Sequence, residues 1–380
     1  MRTLHVAALP FPSMQGTQAL LHAMLTALAQ AGHDTHLLCY PHGAFERAHS
    51  YSVHRGSRDP RTTSLRSGPS AGKILEDISL ASDLRALLRS LRPERVFAHH
   101  VEAAACAYAA GVPALAYVAH TSVATELGSY FPRLARVPWG LIGAGADLLA
   151  ALPAKRHLAI SPLLCAELSA RAARPFELLR PPWFVQAPIT VEERRSARAA
   201  LGLATHSEIL LYAGNLDAYQ GLDVLYAGLL LAFAQRPHAR FLLATASDTA
   251  LLLKKLPTSL TARTLLVTLD SDEARRRVHA AADLALVPRR SPGGLPIKLL
   301  DAMSLGLPVL ACARATAGFE FGPACHTLAD DEPSAWAEGI ARYFDLSSEH
   351  RRAFSEEARA WIADQHGPQA FVRQLLAAGG

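Results

Sequence analysis

Cysteine is scarce in this 380-residue chain. Its five cysteines (Cys39, Cys106, Cys165, Cys312, Cys325) are odd in number and scattered, which excludes a disulfide framework and offers no zinc spacing. Most stand in apolar runs, as buried thiols do in a reducing compartment. Aromatics make up 7% and charged residues 19%, with a formal net charge of +5 and a pI near 9.0. Such mild, diffuse basicity suits an anionic small ligand or an acidic membrane surface. It provides no footprint for nucleic acid, and no RNA- or DNA-binding motif is present. A long hydrophobic run is also missing. The longest, Val137 to Ala154, is broken by Gly140, Gly143, Gly145, Asp147 and Pro153 and does not read as a membrane span. Met1 leads straight into the strand-like LHVAALP, leaving no room for a signal peptide, so the expected location is the cytoplasm. There is no G-x-G-x-x-G, Walker loop, G-x-S-x-G or H-E-x-x-H.

What is there is a hydrophobic half, enough for about two domains with cores of their own. The chain opens with an apolar strand (Leu4 to Leu9), the loop PFPSMQGTQ and a helix from about Thr17 to Gln30 closed by Gly32. A strand at Thr35 to Tyr40 completes a βαβ unit. Strands at Arg95 to Ala98, Ala114 to Val118 and Leu158 to Ile160 alternate with helices at Glu102 to Ala110 and Pro162 to Arg171. This alternation argues for a parallel sheet covered on both faces. The run LLRPPWFVQAP, Leu179 to Pro188, breaks all periodicity and reads as an interdomain linker. A second α/β unit follows. Its expected elements are a strand at Ile209 to Ala213, a helix at Leu222 to Gln235 and a strand at Arg240 to Ala244. Then come a helix near Asp248 to Leu256, a strand at Leu265 to Leu269 and a helix at Asp272 to Ala281. Helices at Glu349 to Gln365 and Pro368 to Ala377 end the chain.

The most informative tract is ADLALVPRRSPGGLPIKLLDAMSLGLPVLA. It reads as a strand (Leu284 to Val287), a glycine-rich loop, a helix from about Pro296 to near Gly306, and a strand (Pro308 to Ala311). A strand feeding such a loop and a helix start offers free backbone N–H groups and a positive dipole end, the usual setting for a phosphate. Pro296 suits the first helical turn. Lys298 and Asp301 lie three apart on that helix, a cation for phosphates and a carboxylate for sugar hydroxyls.

Pro288, Gly294, Leu295, Pro296, Ala302, Met303, Gly306, Pro308 and Val309 match the donor-binding signature of retaining GT-B glycosyltransferases, so the tract resembles that large "group 1" family. The family's two acidic positions fall on Gly293 and Asp301; the second is conservatively kept, the first lost. LLYAGNLDAYQGLDVL, Leu210 to Leu225, resembles the family's YxGRLxxxKGLD, whose Arg and Lys bind the donor diphosphate; here Asn215 and Gln220 stand in their places, after Gly214. Tyr219, Gln220 and Arg289 resemble a branch reading YxGxxxxYQGxD, in which Arg289, Arg290 and Lys298 would supply the missing positive charge.

The resemblance implies two Rossmann-like α/β domains across a cleft, with expected extents 1–182 (acceptor side), 183–355 (nucleotide-sugar side) and 356–380 (helices returning to the first domain). It implies transfer of a hexose from a nucleotide-diphosphate sugar with retention, needing neither metal nor other cofactor. It also implies that Gly16 brings a backbone amide near the donor phosphates and that His120, at the end of ALAYVA, lies near the transferred sugar. His100, with neighbouring His99, also ends a strand and could line the cleft. Glu126 could reach an acceptor pocket, or be a solvated helix residue. Most of the seventeen histidines read as surface or capping residues. Asp270-Ser271-Asp272 spells D-x-D but precedes a helix, and reads as an N-cap rather than a metal site. From Gly43 to Lys73 the chain is polar and basic and reads as a long loop at the cleft mouth. It is either solvated or a surface for anionic lipid or a charged acceptor, with Val137, Trp139, Leu141 and Ile142 adding a peripheral attachment to the inner face of the membrane. The acceptor, whether sugar, lipid-linked or natural product, is not specified. Two other readings stay open: a non-catalytic partner or scaffold with a decayed donor site, and a sugar-nucleotide epimerase.

Overall fold

The computed structural model describes residues 1–13, 15–44, 48–57, 71–131, 134, 136–246, 256–290 and 294–376. Two wholly parallel sheets form the frame. The first has seven strands in the order β3-β2-β1-β4-β5-β6-β7, with β1 Arg2–Ala7, β2 Asp34–Cys39, β3 Ser52–Arg55, β4 Arg95–His99, β5 Leu115–Ala119, β6 Arg156–Ala159 and β7 Glu177–Leu178. The second has six in the order β10-β9-β8-β11-β12-β13, with β8 Glu208–Ala213, β9 Ala239–Thr245, β10 Thr264–Thr268, β11 Leu284–Val287, β12 Val309–Cys312 and β13 His326–Leu328. Central strands are continuous apolar runs because both faces are covered; β5, for example, is buried at all five positions.

Helices of the first unit are α1 Gly16–Gln30, α2 Ala71–Leu91, α3 His100–Ala109, α4 Val123–Tyr130, α5 Trp139–Ala151 and α6 Pro162–Ala172. The longer helices of the second are α7 Val191–Ala200, α8 Leu222–Gln235, α9 Asp272–Ala281, α10 Ile297–Ser304, α11 Pro333–Phe344 and α12 Ser348–Gln365. The final helix, α13 Pro368–Leu376, packs on α1 of the first unit.

The chain crosses between units twice, and the crossings are tied together. Trp183 N donates to the His366 carbonyl at 2.8 Å, and His366 Nδ1 contacts the Pro181 carbonyl at 2.6 Å. Arg156 then donates to the carbonyls of Leu375 (2.6 Å) and Gln374 (3.0 Å), anchoring α13 beneath β6 and β7.

The structure changes several sequence expectations. Pro296 is the N-cap of α10, with ψ 102, rather than its first helical residue. Gly306 takes the left-handed conformation (φ 74) that ends the helix. The stretch from Gly43 to Lys73 is not a continuous loop: Ser52–Arg55 is the edge strand β3, paired with β2, and Lys73 lies in α2. Residues 45–47 and 58–70 of that stretch, and the helix expected near Asp248 to Leu256 except Leu256 itself, lie outside the described residues.

Helix α5 is inverted. Its buried stripe is Gly143, Asp147, Ala150 and Ala151, while Leu141 (75% exposed), Ile142, Leu148 and Leu149 (68%) face outward. Asp147 is buried because it serves the neighbouring helix: it accepts from Val123 N and Ala124 N at the start of α4, from Ser122 Oγ, and from Arg171 Nη1 at 2.9 Å. No described helix is long and apolar enough to cross a membrane.

Candidate functional site: two helix N-termini meeting across the cleft

The two units meet at helix N-termini. A Cβ built on Gly16, at the start of α1, would lie 3.2 Å from Ile297 Cγ1 at the start of α10. A side chain at position 16 would have to displace the Ile297 side chain by a few tenths of an ångström. Neither α1 nor α10 has a side-chain cap. Ser161, Thr190, Ser271 and Ser347, in contrast, cap α6, α7, α9 and α12 through their hydroxyls. Ser271 thus plays the capping part expected of the D-x-D segment. Helices α3, α5, α8 and α11 also lack a side-chain cap; what sets α1 and α10 apart is that their N-termini meet across the seam, where the two dipoles favour an anion.

A second interdomain contact lies beside the first. Gly294 packs so closely on the end of β5 that its Cβ would come to 2.7 Å from the His120 carbonyl oxygen. Leu295 follows, buried. Arg289, buried at the end of β11, donates through Nη1 to the Gly294 carbonyl at 3.0 Å, holding this loop against the first unit. Glu126, on α4, is half-buried rather than solvated. Burial pushes its carboxyl pKa up, against the lowering effects of the Arg289 cation and a hydrogen bond with Thr121. Gly293 lies outside the described residues.

Lys298 sits at the heart of the second unit's share. Its Nζ donates to Gln220 Oε1 (2.5 Å) and Tyr212 Oη (3.1 Å) and lies 4.3 Å from the centre of the Tyr212 ring. Gln220 Nε2 in turn donates to Asn215 Oδ1 (2.6 Å), and Asn215 Nδ2 donates to Asp217 and Tyr219. Gly214 lies close beside this lysine: a Cβ there would come within 3.3 Å of Lys298 Cε and Nζ and of Tyr212 Oη. Asn215 and Gln220, where relatives carry cations, thus form a neutral bracket holding a single cation in place. Burial, reinforced by the Arg289 charge, brings the Lys298 pKa down from 10.5 to about 7. Arg290 does not join this group: it pairs with Asp223 and lines a separate pocket with Arg314 and Asp331.

Asp301, one turn beyond Lys298, points elsewhere. Its Oδ1 lies 3.5 Å from Arg275 Nη1 of α9 but accepts no hydrogen bond, although the side chain is only 13% exposed. A buried carboxylate oxygen with spare lone pairs is suited to receive hydroxyl donors.

On the first unit, His5, His36 and His157 are buried rather than on the surface, as are the cleft candidates His99 and His120. Three of these five are linked: His5 Nδ1 to His99 Nε2 at 3.0 Å, and His99 Nδ1 to His120 Nε2 at 2.9 Å. The His100 ring stacks on His120 with centroids 4.9 Å apart, from a backbone with φ 71. Burial lowers the pKa of all four, of His5 to about 3, so the cluster is uncharged at neutral pH.

The structure therefore gathers Gly16, Gly294, Leu295, Arg289, His120, His100 and Glu126 along the seam between units. Gly214, Asn215, Gln220 and Lys298 stand together beside it, and Asp301 sits further along α10. Sequence reasoning missed Tyr212, Arg275, His5 and the hydrogen-bonding role of His99. Only the Tyr of the YAGN segment carried a local signal.

This architecture, two parallel α/β units with helix N-termini opposed across a seam, defines the GT-B class. Comparison with known proteins gives the family. The "Glycosyl transferases group 1" model matches residues 207–345 and the "Glycosyltransferase Family 4" model matches residues 14–176. The chain belongs to this glycosyltransferase family. Solved structures agree in fold. They include sucrose-phosphate synthase from Thermosynechococcus elongatus (TM-score 0.79, 17% identity, 99% of this chain and 97% of that one). WaaG, a glycosyltransferase involved in lipopolysaccharide biosynthesis, matches with TM-score 0.73 and 17% identity over 99% and 100%. Anabaena HepE in complex with UDP-glucose matches with TM-score 0.75 and 15% identity over 99% and 98%. No curated protein matches the chain significantly in sequence.

Proposed function

We propose that this glycosyltransferase moves a hexose from a nucleotide-diphosphate sugar to a hydroxyl acceptor with retention at the anomeric carbon, using no metal. The observation that carries this reading is the opposition of two uncapped helix N-termini, α1 and α10, with Lys298 close by on α10. In this arrangement the diphosphate lies against the amides of α10 and α1, and Lys298 and Arg289 balance the charge that grows on it as the glycosidic bond breaks. Asp301 receives the ribose hydroxyls. His120 contacts the sugar undergoing transfer, while Glu126 and His100 lie on the acceptor side. Closure of Gly294 onto the His120 carbonyl excludes water, whose attack on the donor is the competing reaction.

The ordered bracket around Lys298 supports an intact donor site over a decayed one: each polar group that replaces a family cation is bonded toward the remaining cation. The outward apolar face of α5, flanked by exposed Arg136 and Lys155, supports peripheral attachment to an anionic membrane.

The test is calorimetry with UDP-, GDP- and TDP-sugars and the corresponding nucleoside diphosphates. One nucleotide should bind, and Lys298→Ala should weaken it. A chain that binds none of them is a scaffold; one that isomerises the donor without acceptor is an epimerase.

A further inference from the structure

The three linked histidines occupy one face of the first sheet by register. His5 stands opposite Phe97 and Ala7 opposite His99; His99 stands opposite Val118, and His120 is two residues further on. Side chains two apart share a face, so His5, His99 and His120 form a diagonal staircase rising from the middle of β1 to the carboxyl end of β5. The His5 ring stacks on Phe97 at 4.8 Å at the inner end. His120 stands at the outer end, where Gly294 meets its carbonyl.

Each neutral imidazole carries one N–H and one lone pair. Two hydrogen bonds through three such rings can be satisfied in only two ways, both unidirectional. Either the protons sit on Nδ1 of all three rings, or they sit on Nε2 of all three. The first leaves His120 with a free Nδ1–H and His5 Nε2 with an unused lone pair. The second leaves His5 with a buried Nε2–H. Both terminal atoms, His5 Nε2 and His120 Nδ1, are buried without a partner among the described residues. An orphaned interior N–H is rarer than an unused acceptor. The inner end, stacked on Phe97, has nothing to receive a proton, whereas a ligand oxygen entering the seam can satisfy the outer end.

We propose that His5 and His99 are positioning residues that lock His120 as an Nδ1–H hydrogen-bond donor toward the ligand, with the hydrogen bonds running one way from His5 through His99 to His120. The proposal rests on His120 lying in the donor seam, where a ligand oxygen receives the Nδ1–H that is otherwise buried without an acceptor among the described residues. Its ligand is an oxygen acceptor, such as a hydroxyl of the bound sugar. Held in this way, Nδ1 of His120 cannot act as a proton acceptor.

The test is NMR of the full chain labelled with 15N-histidine, with resonances assigned from single His→Gln variants. Protonated Nδ1 on His5, His99 and His120 is expected at neutral pH, with through-hydrogen-bond nitrogen–nitrogen couplings linking His5 to His99 and His99 to His120. Protonated Nε2 on His120, or missing couplings, would overturn the lock. In His99→Leu, His120 should lose its single tautomer and show Nε2–H signal as well; an unchanged Nδ1–H would show that His99 does not set it. None of these readouts needs turnover, so a failed lock is distinguishable from a failed assignment of the reaction. If His99→Leu does not fold, the couplings in the unsubstituted protein decide the outcome alone.

Discussion

Removing the charge of Lys298 is the sharpest test of the donor site. The free protein holds this ammonium at a pKa of about 7, because it is buried and faces Arg289. A diphosphate placed against it would restore the charged form, so binding should take up a proton. At pH 7 about half the free molecules are already protonated; at pH 8 roughly one in eleven is. Affinity for a nucleotide-diphosphate sugar should thus be flat below about pH 6 and fall roughly tenfold per pH unit above 7. The esterified diphosphate has no proton of its own titrating near neutrality, which keeps the measurement clean. Calorimetry in two buffers of different ionisation enthalpy should report uptake of about half a proton at pH 7 and nearly one at pH 8. Lys298→Met should abolish both the slope and the uptake. The unliganded fold gives the complementary sign: the unfolded chain holds this proton up to its usual 10.5 and the folded chain only to about 7, so this group makes stability rise with pH between those values. An affinity independent of pH in the unsubstituted protein, or a slope that survives in Lys298→Met, would refute the placement of the diphosphate.

The other predictions concern neighbouring parts. Asp301→Ala should weaken nucleotide binding roughly ten- to hundredfold, the worth of a charge-assisted hydrogen bond of about 1.5–3 kcal/mol, with little change in melting temperature; equal affinity would place the ribose elsewhere. Gly294→Ala should cost about 1–3 kcal/mol, because its Cβ would meet the His120 carbonyl and backbone must move; differential scanning calorimetry reads this directly. Leu141→Ser combined with Leu149→Ser should leave the melting temperature nearly unchanged, because both side chains are exposed. The same pair should reduce sedimentation with phosphatidylglycerol vesicles at least about tenfold, since each leucine gains about 1.5–3 kcal/mol when fully buried.

The tract around Lys298 was legible because its information is local. Strand, glycine turn and helix follow one another, and α8, α9 and β11 fall on the residues that periodicity indicates. Segment-level reasoning weakened where tertiary contacts decide. Strand β3 is a polar edge strand whose one partner among the described residues is β2, and its four residues show no apolar alternation. Arg289 and Arg290 are adjacent in sequence, yet one turns to the Gly294 carbonyl and the other to Asp223; no pattern separates them. Arg275 is one of three consecutive arginines, and only the approach of α9 to α10 selects it for Asp301. The histidine staircase was invisible because it depends on the register of three strands far apart in the chain. In helix α5 the sequence marks Leu141 and Ile142 as an apolar attachment surface, but nothing local shows that the inward face is spent on Asp147 and small residues.

The pinned crossovers carry one more consequence. With Trp183 bonded to His366 and His366 to Pro181, both covalent bridges between the lobes pass through one spot, as the two leaves of a door share one pin. A pin of this kind favours swinging over sliding when the lobes move. A chain cut just before His366 would lose half of the pin and the α13 latch together, and its lobes would drift on a single tether.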